Sequence, residues 1–173
     1  MNKIIKLIFV VIFGLVTNSS HAITDPPFIN IIVNKQPINY DDITFEDYEG
    51  NFINLNNENS EIFMLNFWAT WCLPCKEEMP YLDKLQNTNG IKVFPINVGR
   101  ENKQKTQIFF KNLEIKNLSI YFDAENNLVN LLKLRGLPTT VILNKEKKEI
   151  ARIIGVVNFS DEKFIEWIND YRK

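Results

Sequence analysis

The 173-residue chain contains two cysteines, and they stand two residues apart in Trp71-Cys72-Leu73-Pro74-Cys75. Thiols at that spacing can close a small disulfide ring and reopen it. If the first sulfur lies at a helix N-terminus, the unpaired backbone N–H groups stabilise its thiolate, the attacking form. A structural disulfide and half of a metal site are competing uses of the same spacing. The loop closed by this pair is too short to remove much chain entropy, and a domain of this size needs no such staple. The only histidine is His21, in a segment expected to be removed. Structural zinc takes four Cys or His ligands, copper sites of the Cys and His type need an imidazole, and Ser-His or Cys-His hydrolases need a histidine base. Redox chemistry at Cys72 and Cys75, with no metal and no cofactor beyond the pair itself, explains the spacing best.

Lys3 and Lys6 precede an unbroken apolar run at 7–16, followed by Thr17-Asn18-Ser19-Ser20 and His21-Ala22. This is the layout of a secretory signal, with Ser20 and Ala22 as the small residues a signal peptidase reads. The run falls short of the about 20 residues that cross a bilayer; an uncleaved anchor counted from Ile4 is the alternative. Residues 1–22 are assigned as signal peptide, 23–43 as an irregular lead-in containing Asp25-Pro26-Pro27 and Gln36-Pro37, and 44–173 as one domain. Cleavage leaves 151 residues with 18 basic and 21 acidic side chains, a net charge of −3. That balance argues against a nucleic-acid binder, which carries a basic patch.

Periodicity supplies the elements that must position the cysteines. A short strand is expected at 29–33 within the lead-in. Residues 44–55 alternate about Glu49-Gly50-Asn51, as a β-hairpin does. The apolar run over 61–68 predicts a strand buried on both faces. Asn66 is its polar exception and must find a partner. Met79, Leu82 and Leu85 recur at helical spacing over 73–88, with Pro80 expected to kink the axis and Asn89-Gly90 to end it. A parallel return strand is expected at 91–98, then a helix at 104–113, a strand at 118–122 and a helix at 125–134. Strands at 140–143 and 149–157 form an antiparallel pair, and a helix capped by Ser160 closes the chain at 160–171.

This order, with Asn66-Phe67-Trp68-Ala69-Thr70-Trp71-Cys72-Leu73-Pro74-Cys75-Lys76-Glu77-Glu78-Met79-Pro80, resembles the thioredoxin superfamily. More narrowly it is similar to the exported, thiol-reducing branch of TlpA, ResA and the cytochrome c maturation thioredoxins. Asn97-Val98-Gly99, Leu137-Pro138-Thr139-Thr140 and Gly155 agree with it, and the resemblance covers roughly residues 44–172. It implies an α/β, thioredoxin-like fold: a central mixed sheet flanked by helices, with an N-terminal β-hairpin extension. By the same resemblance Cys72 is the exposed nucleophile that forms a mixed disulfide, and Cys75 resolves it. Pro74 stiffens the loop between them, and Trp71 covers the flank. Pro138 is cis and faces the cysteines, leaving the backbone of Leu137 free to pair with an extended target segment. Where thioredoxins carry a buried aspartate this chain has Asn66, which cannot titrate. Glu78 matches the glutamate that ResA-like proteins place near the active site, and is expected to exchange a proton with Cys75. Its bland alternative is a solvated helix glutamate beside Lys76 and Glu77.

The implied partners are disulfide-bearing exported proteins, apocytochrome c among them, with a membrane thiol relay as electron donor. The implied setting is the periplasm, and the implied state a monomer. Leu73-Pro74 places no positive group between the cysteines, so a potential near thioredoxin's, about −270 mV, is expected rather than that of a strong oxidant at about −120 mV. The rival readings are a peroxiredoxin-like peroxide reductase, a disulfide oxidase or isomerase, and a non-catalytic binding module on the same fold. Peroxiredoxins place a lone peroxidatic cysteine where this chain has a vicinal pair.

Overall fold

The structure, a computed structural model, describes residues 24–172. The signal-peptide assignment, residues 1–22, lies outside the described residues. The fold is organised by the strand β4 (Ile62–Trp68), all seven residues of which are buried. Successive side chains of a strand point to opposite faces, so β4 feeds two cores. Ile62, Met64 and Trp68 pack on one face with Met79 and Leu82 of α1 (Leu73–Leu85), Phe110 of α2 (Lys103–Asn112), and Phe164 and Trp167 of α4 (Glu162–Asp170). Phe63, Leu65 and Phe67 pack on the other with Phe45, Leu55 and, from α3 (Asn127–Leu131), Leu128. Asn66 shares the parity of Met64 and Trp68, so it faces α1.

Eight strands form one mixed sheet. β4 runs parallel to β5 (Ile91–Asn97) and antiparallel to β7 (Thr139–Asn144). β7 pairs antiparallel with β8 (Glu149–Ile154), which pairs with the edge strand β1 (Ile31–Ile38). On the other side β5 pairs with β6 (Tyr121–Phe122), and the hairpin β2 (Thr44–Glu46) and β3 (Phe52–Asn54) completes the order β1-β8-β7-β4-β5-β6-β2-β3. The expected α/β thioredoxin-like sheet with its N-terminal hairpin is therefore present.

Several boundaries differ from expectation for identifiable reasons. The lead-in is not irregular throughout: residues 31–38 form β1, with Ile31 opposite Ile153 and Val33 opposite Ala151. Pro37 is tolerated because β1 lies at the edge, where a missing N–H costs no ladder bond, and the register shifts between Val33 and Ile38. Helix α1 stops at Leu85 rather than 88 and runs through Pro80. Strand β6 has two residues, and α3 has five, set between left-handed residues Asn126 (φ 59°) and Lys133 (φ 52°). Asp161, not Ser160, caps α4: its Oδ1 accepts from the Lys163 N–H at 2.9 Å. The buried Asp83 of α1 accepts from the N–H groups of Lys116, Asn117 and Leu118 at 3.1, 2.7 and 3.1 Å through one oxygen, tying the segment before β6 to the helix.

The register fixes where chemistry can happen. Phe67 lies opposite Thr139, and Trp68 opposite Asn97. The C-terminal end of β4, the N-terminal end of β7 and the C-terminal end of β5 thus meet at one edge of the sheet. The Cys-x-x-Cys segment, Leu137-Pro138 and the loop after Asn97 all emerge there.

Candidate active site

Cys72 and Cys75 form a disulfide with an S–S distance of 2.02 Å and a Cα–Cα distance of 5.3 Å. Cys72 is the N-cap of α1, in extended conformation, and its Sγ accepts from the Cys75 N–H at 3.3 Å. Pro74 sits in the first turn, where its missing N–H is no loss and its fixed φ suits the helix. The helix N-terminus expected behind the attacking sulfur is therefore in place. Cys72 is not openly exposed in the disulfide form: it keeps 5% of its surface, against 0% for Cys75. Cys72 is the more accessible of the two, the order that was expected. Trp71 and Leu73, 67% and 74% exposed, flank the disulfide with apolar surface.

The Leu137–Pro138 peptide is cis. The Pro138 carbonyl accepts from the Gly155 N–H at 2.9 Å, and Gly155 holds φ at +90°, a region that favours glycine. Leu137 is half-buried, and among the described residues its backbone N–H and C=O have no hydrogen-bond partner. Its main chain is free to pair with an incoming strand.

Behind the cysteines lies a buried polar group of three side chains. Glu78, one turn after Cys75 on the same helix face, is fully buried. Asn66 Nδ2 donates to Glu78 Oε1 at 2.7 Å and to Thr140 Oγ1 at 2.9 Å. Asn66 Oδ1 and Glu78 Oε2 are buried without a partner among the described residues. Burial pushes the Glu78 carboxyl up to about 8; the Asn66 hydrogen bond, and more weakly the Val157 amide lying outside strict hydrogen-bond geometry, oppose it. The solvated-helix alternative for Glu78 is excluded. In the disulfide form the carboxyl therefore holds its proton at neutral pH.

Of the residues singled out in the sequence, Cys72, Cys75, Glu78, Asn66, Trp71, Pro74, Leu137 and Pro138 gather at this edge. Pro80 lies farther along α1, half-buried, and contributes to the helix rather than to the site. Two partners were not foreseen. Thr140 shares Asn66 with Glu78, and Glu101, in the loop after β5, accepts from both the N–H and the hydroxyl of Thr70. A carboxylate just past the C-terminal end of a parallel strand is the signal that marks the latter, because such ends carry sites in open α/β sheets.

Fold and site together define a thioredoxin-like thiol–disulfide oxidoreductase. The Redoxin family model matches residues 36–164, and the chain belongs to that family, on its ResA-like side. It is 32% identical over 118 residues to the thiol-disulfide oxidoreductase ResA of Bacillus subtilis, covering 66% of this chain and 65% of that one. It is 31% identical over 125 residues to ResA of Geobacillus thermodenitrificans, covering 70% and 71%. Among solved structures it superposes on a thiol:disulfide interchange protein DsbE from Chlorobium tepidum with a TM-score of 0.69 at 19% identity, covering 80% of this chain and 98% of that one. For StoA from Bacillus subtilis the TM-score is 0.61 at 24% identity, covering 76% and 99%. At those identities the structures speak for the fold.

Proposed function

We propose that this protein is an exported, periplasmic reductant that transfers electrons from Cys72 and Cys75 to disulfides of other exported proteins. Apocytochrome c is one such target class, and a membrane thiol relay returns the electrons. The observation that carries the reading is the Cys72–Cys75 pair at the N-terminus of α1, level in the sheet with the unpaired main chain of Leu137. A target segment pairs with Leu137 as an added strand, and its disulfide meets Cys72. The Cys72 thiolate attacks one target sulfur, the target S–S bond breaks, and the departing sulfur leaves as a thiolate that takes a proton. Glu78, left as a carboxylate by giving its proton to Cys75 when the pair was reduced, takes that proton back as Cys75 attacks Cys72 Sγ. The mixed disulfide breaks, the second target sulfur leaves as a thiolate that takes a proton from solvent, and the Cys72–Cys75 disulfide reforms. Two electrons have passed to the target. When the donor reduces the pair again, protonated Glu78 returns a proton to the Cys75 thiolate.

Trapping tests the reading. With Cys75→Ala the resolving thiol is gone, and targets are expected to accumulate as mixed disulfides on Cys72, separable by reducing gels. Failure of Cys75→Ala to capture any exported thiol protein, when Cys72 is reduced and accessible, would contradict it. Rapid turnover of hydrogen peroxide by the wild type would favour a peroxide reductase instead.

A further inference from the structure

Thr70 lies two residues ahead of Cys72. Its backbone N–H and its hydroxyl both donate to one oxygen of Glu101, Oε1, at 2.9 and 2.7 Å. The other oxygen, Oε2, is buried and has no partner among the described residues. The space for this carboxylate is left by Gly99, where a Cβ would stand 2.2 Å from Glu101 Oε2 and 2.5 Å from Cδ. Gly99 does not have a positive φ, so it is needed here for room and not for backbone freedom. Its N–H donates to Asn97 Oδ1 at 3.1 Å, fixing the turn.

Arg100 and Asp123 are the charged groups that line the same cavity as Glu101. With the Asn126 amide turned to present its oxygen, Arg100 donates to it through Nε and Nη2 at 3.1 and 2.6 Å. Arg100 makes no ion pair with Glu101 among the described residues. Asp123, across the same cavity, accepts from the Val129 N–H. On α1, Lys76 and Glu77 are exposed, and Glu78 is buried behind Cys75.

We propose that Glu101, seated by Gly99, is a positioning residue for the redox loop: it fixes Thr70 and sets a negative charge beside the attacking sulfur. The inference rests on Cys72 as the attacking sulfur. The α-carbons of Thr70 and Cys72 are at most about 7 Å apart, so the Cys72 thiolate forms near an anion. That raises the thiol pKa and, at pH values where the thiolate is populated, disfavours the reduced pair relative to the disulfide. A dithiol that is harder to form is a stronger electron donor. For unit charges about 10 Å apart at an effective dielectric near 20, the effect is on the order of tenfold.

The test uses the full chain as wild type, Glu101→Gln, Gly99→Ala and the double variant, with folding checked by circular dichroism. Each is equilibrated with glutathione buffers, and Cys72 alkylation is followed against pH. Glu101→Gln keeps an acceptor for Thr70 but removes the charge. It is expected to lower the alkylation midpoint by about one pH unit and, at a pH above both midpoints, to shift the equilibrium about tenfold toward the reduced pair, about 30 mV for this two-electron couple, with the shift vanishing well below them. Gly99→Ala should do the same by expelling the carboxylate, and the double variant should add nothing, since both act through one group. Folded variants with the wild-type equilibrium and pH profile would overturn the proposal, and so would an additive double variant. If Glu101→Gln does not fold, Gly99→Ala alone decides on the same readouts. The wild type's absolute potential tests its role as a reductant, whereas differences between variants test Glu101, so the two can fail separately.

Discussion

Glu78 and Glu149 are both excluded from solvent, at 0% and 1% exposure, but their surroundings are opposite. Glu149 receives Arg152 Nε and Nη2 at 3.0 and 2.9 Å and the Tyr40 hydroxyl at 2.6 Å. Arg152 also donates to the Leu132 carbonyl at 2.8 Å, so the cluster joins β8, the end of α3 and the chain after β1. Burial, and then Glu149, push the Tyr40 phenol up to about 12. Glu78 has one neutral amide donor and one orphaned oxygen. Burying a charge is tolerable when it is paired and hydrogen-bonded. The carboxylate beside Arg152 meets that condition and ties the structure together. The carboxyl behind Cys75 does not, and stays ready to change its protonation state.

The largest expected effect breaks the comparison along pH. The Glu78 carboxyl titrates near 8 in the folded protein, against 4.5 when free. Between those values the folded state holds a proton that the unfolded state has released, so stability falls as pH rises from 4.5 through 8 and levels off above. A shift of this size is worth at most about 5 kcal/mol. Urea titrations of the oxidised protein from pH 4 to 9 should show this contribution in the wild type and lose it in Glu78→Gln. In the reduced protein the same substitution should alter the pH profile of Cys75 reactivity; identical profiles would remove Glu78 from the mechanism.

Glu149→Ala should act through stability alone. It strands the partly buried Arg152 and is expected to cost about 3–5 kcal/mol, while disulfide exchange per folded molecule stays at the wild-type rate. A loss of exchange without a loss of stability would erase the distinction between the two glutamates. Asp83 extends the comparison to a carboxylate paired only with amides. Asp83→Ala leaves three N–H groups without their acceptor and should cost about 2 kcal/mol in the same titrations. Thr140→Val removes only the hydroxyl that shares Asn66, and about 1 kcal/mol is expected.

The parts of the molecule that could be read from sequence are those carried by local pattern. The apolar run of β4 announced a buried strand, Trp71 to Cys75 announced the site, and Leu137-Pro138 its distant half. Asn66 could be identified as needing a partner, but not which one, because Glu78 and Thr140 reach it only through tertiary packing. Glu78 itself was ambiguous for the same reason: Lys76 and Glu77 beside it are exposed, and helical phase alone separates them. β1 was underestimated because Gln36-Pro37 reads as a break, whereas an edge strand tolerates proline. The Thr70–Glu101 contact joins residues 31 apart and leaves no periodic trace.

The proposed role of Cys72 and Cys75 as an electron-donating pair is tested most directly by their reduction potential. Equilibration of the purified protein with glutathione or thioredoxin, read by alkylation of the free thiols, is expected to give a value near −270 mV, as for thioredoxin, roughly. A value above about −180 mV, in the range of disulfide isomerases and oxidants, would contradict the account.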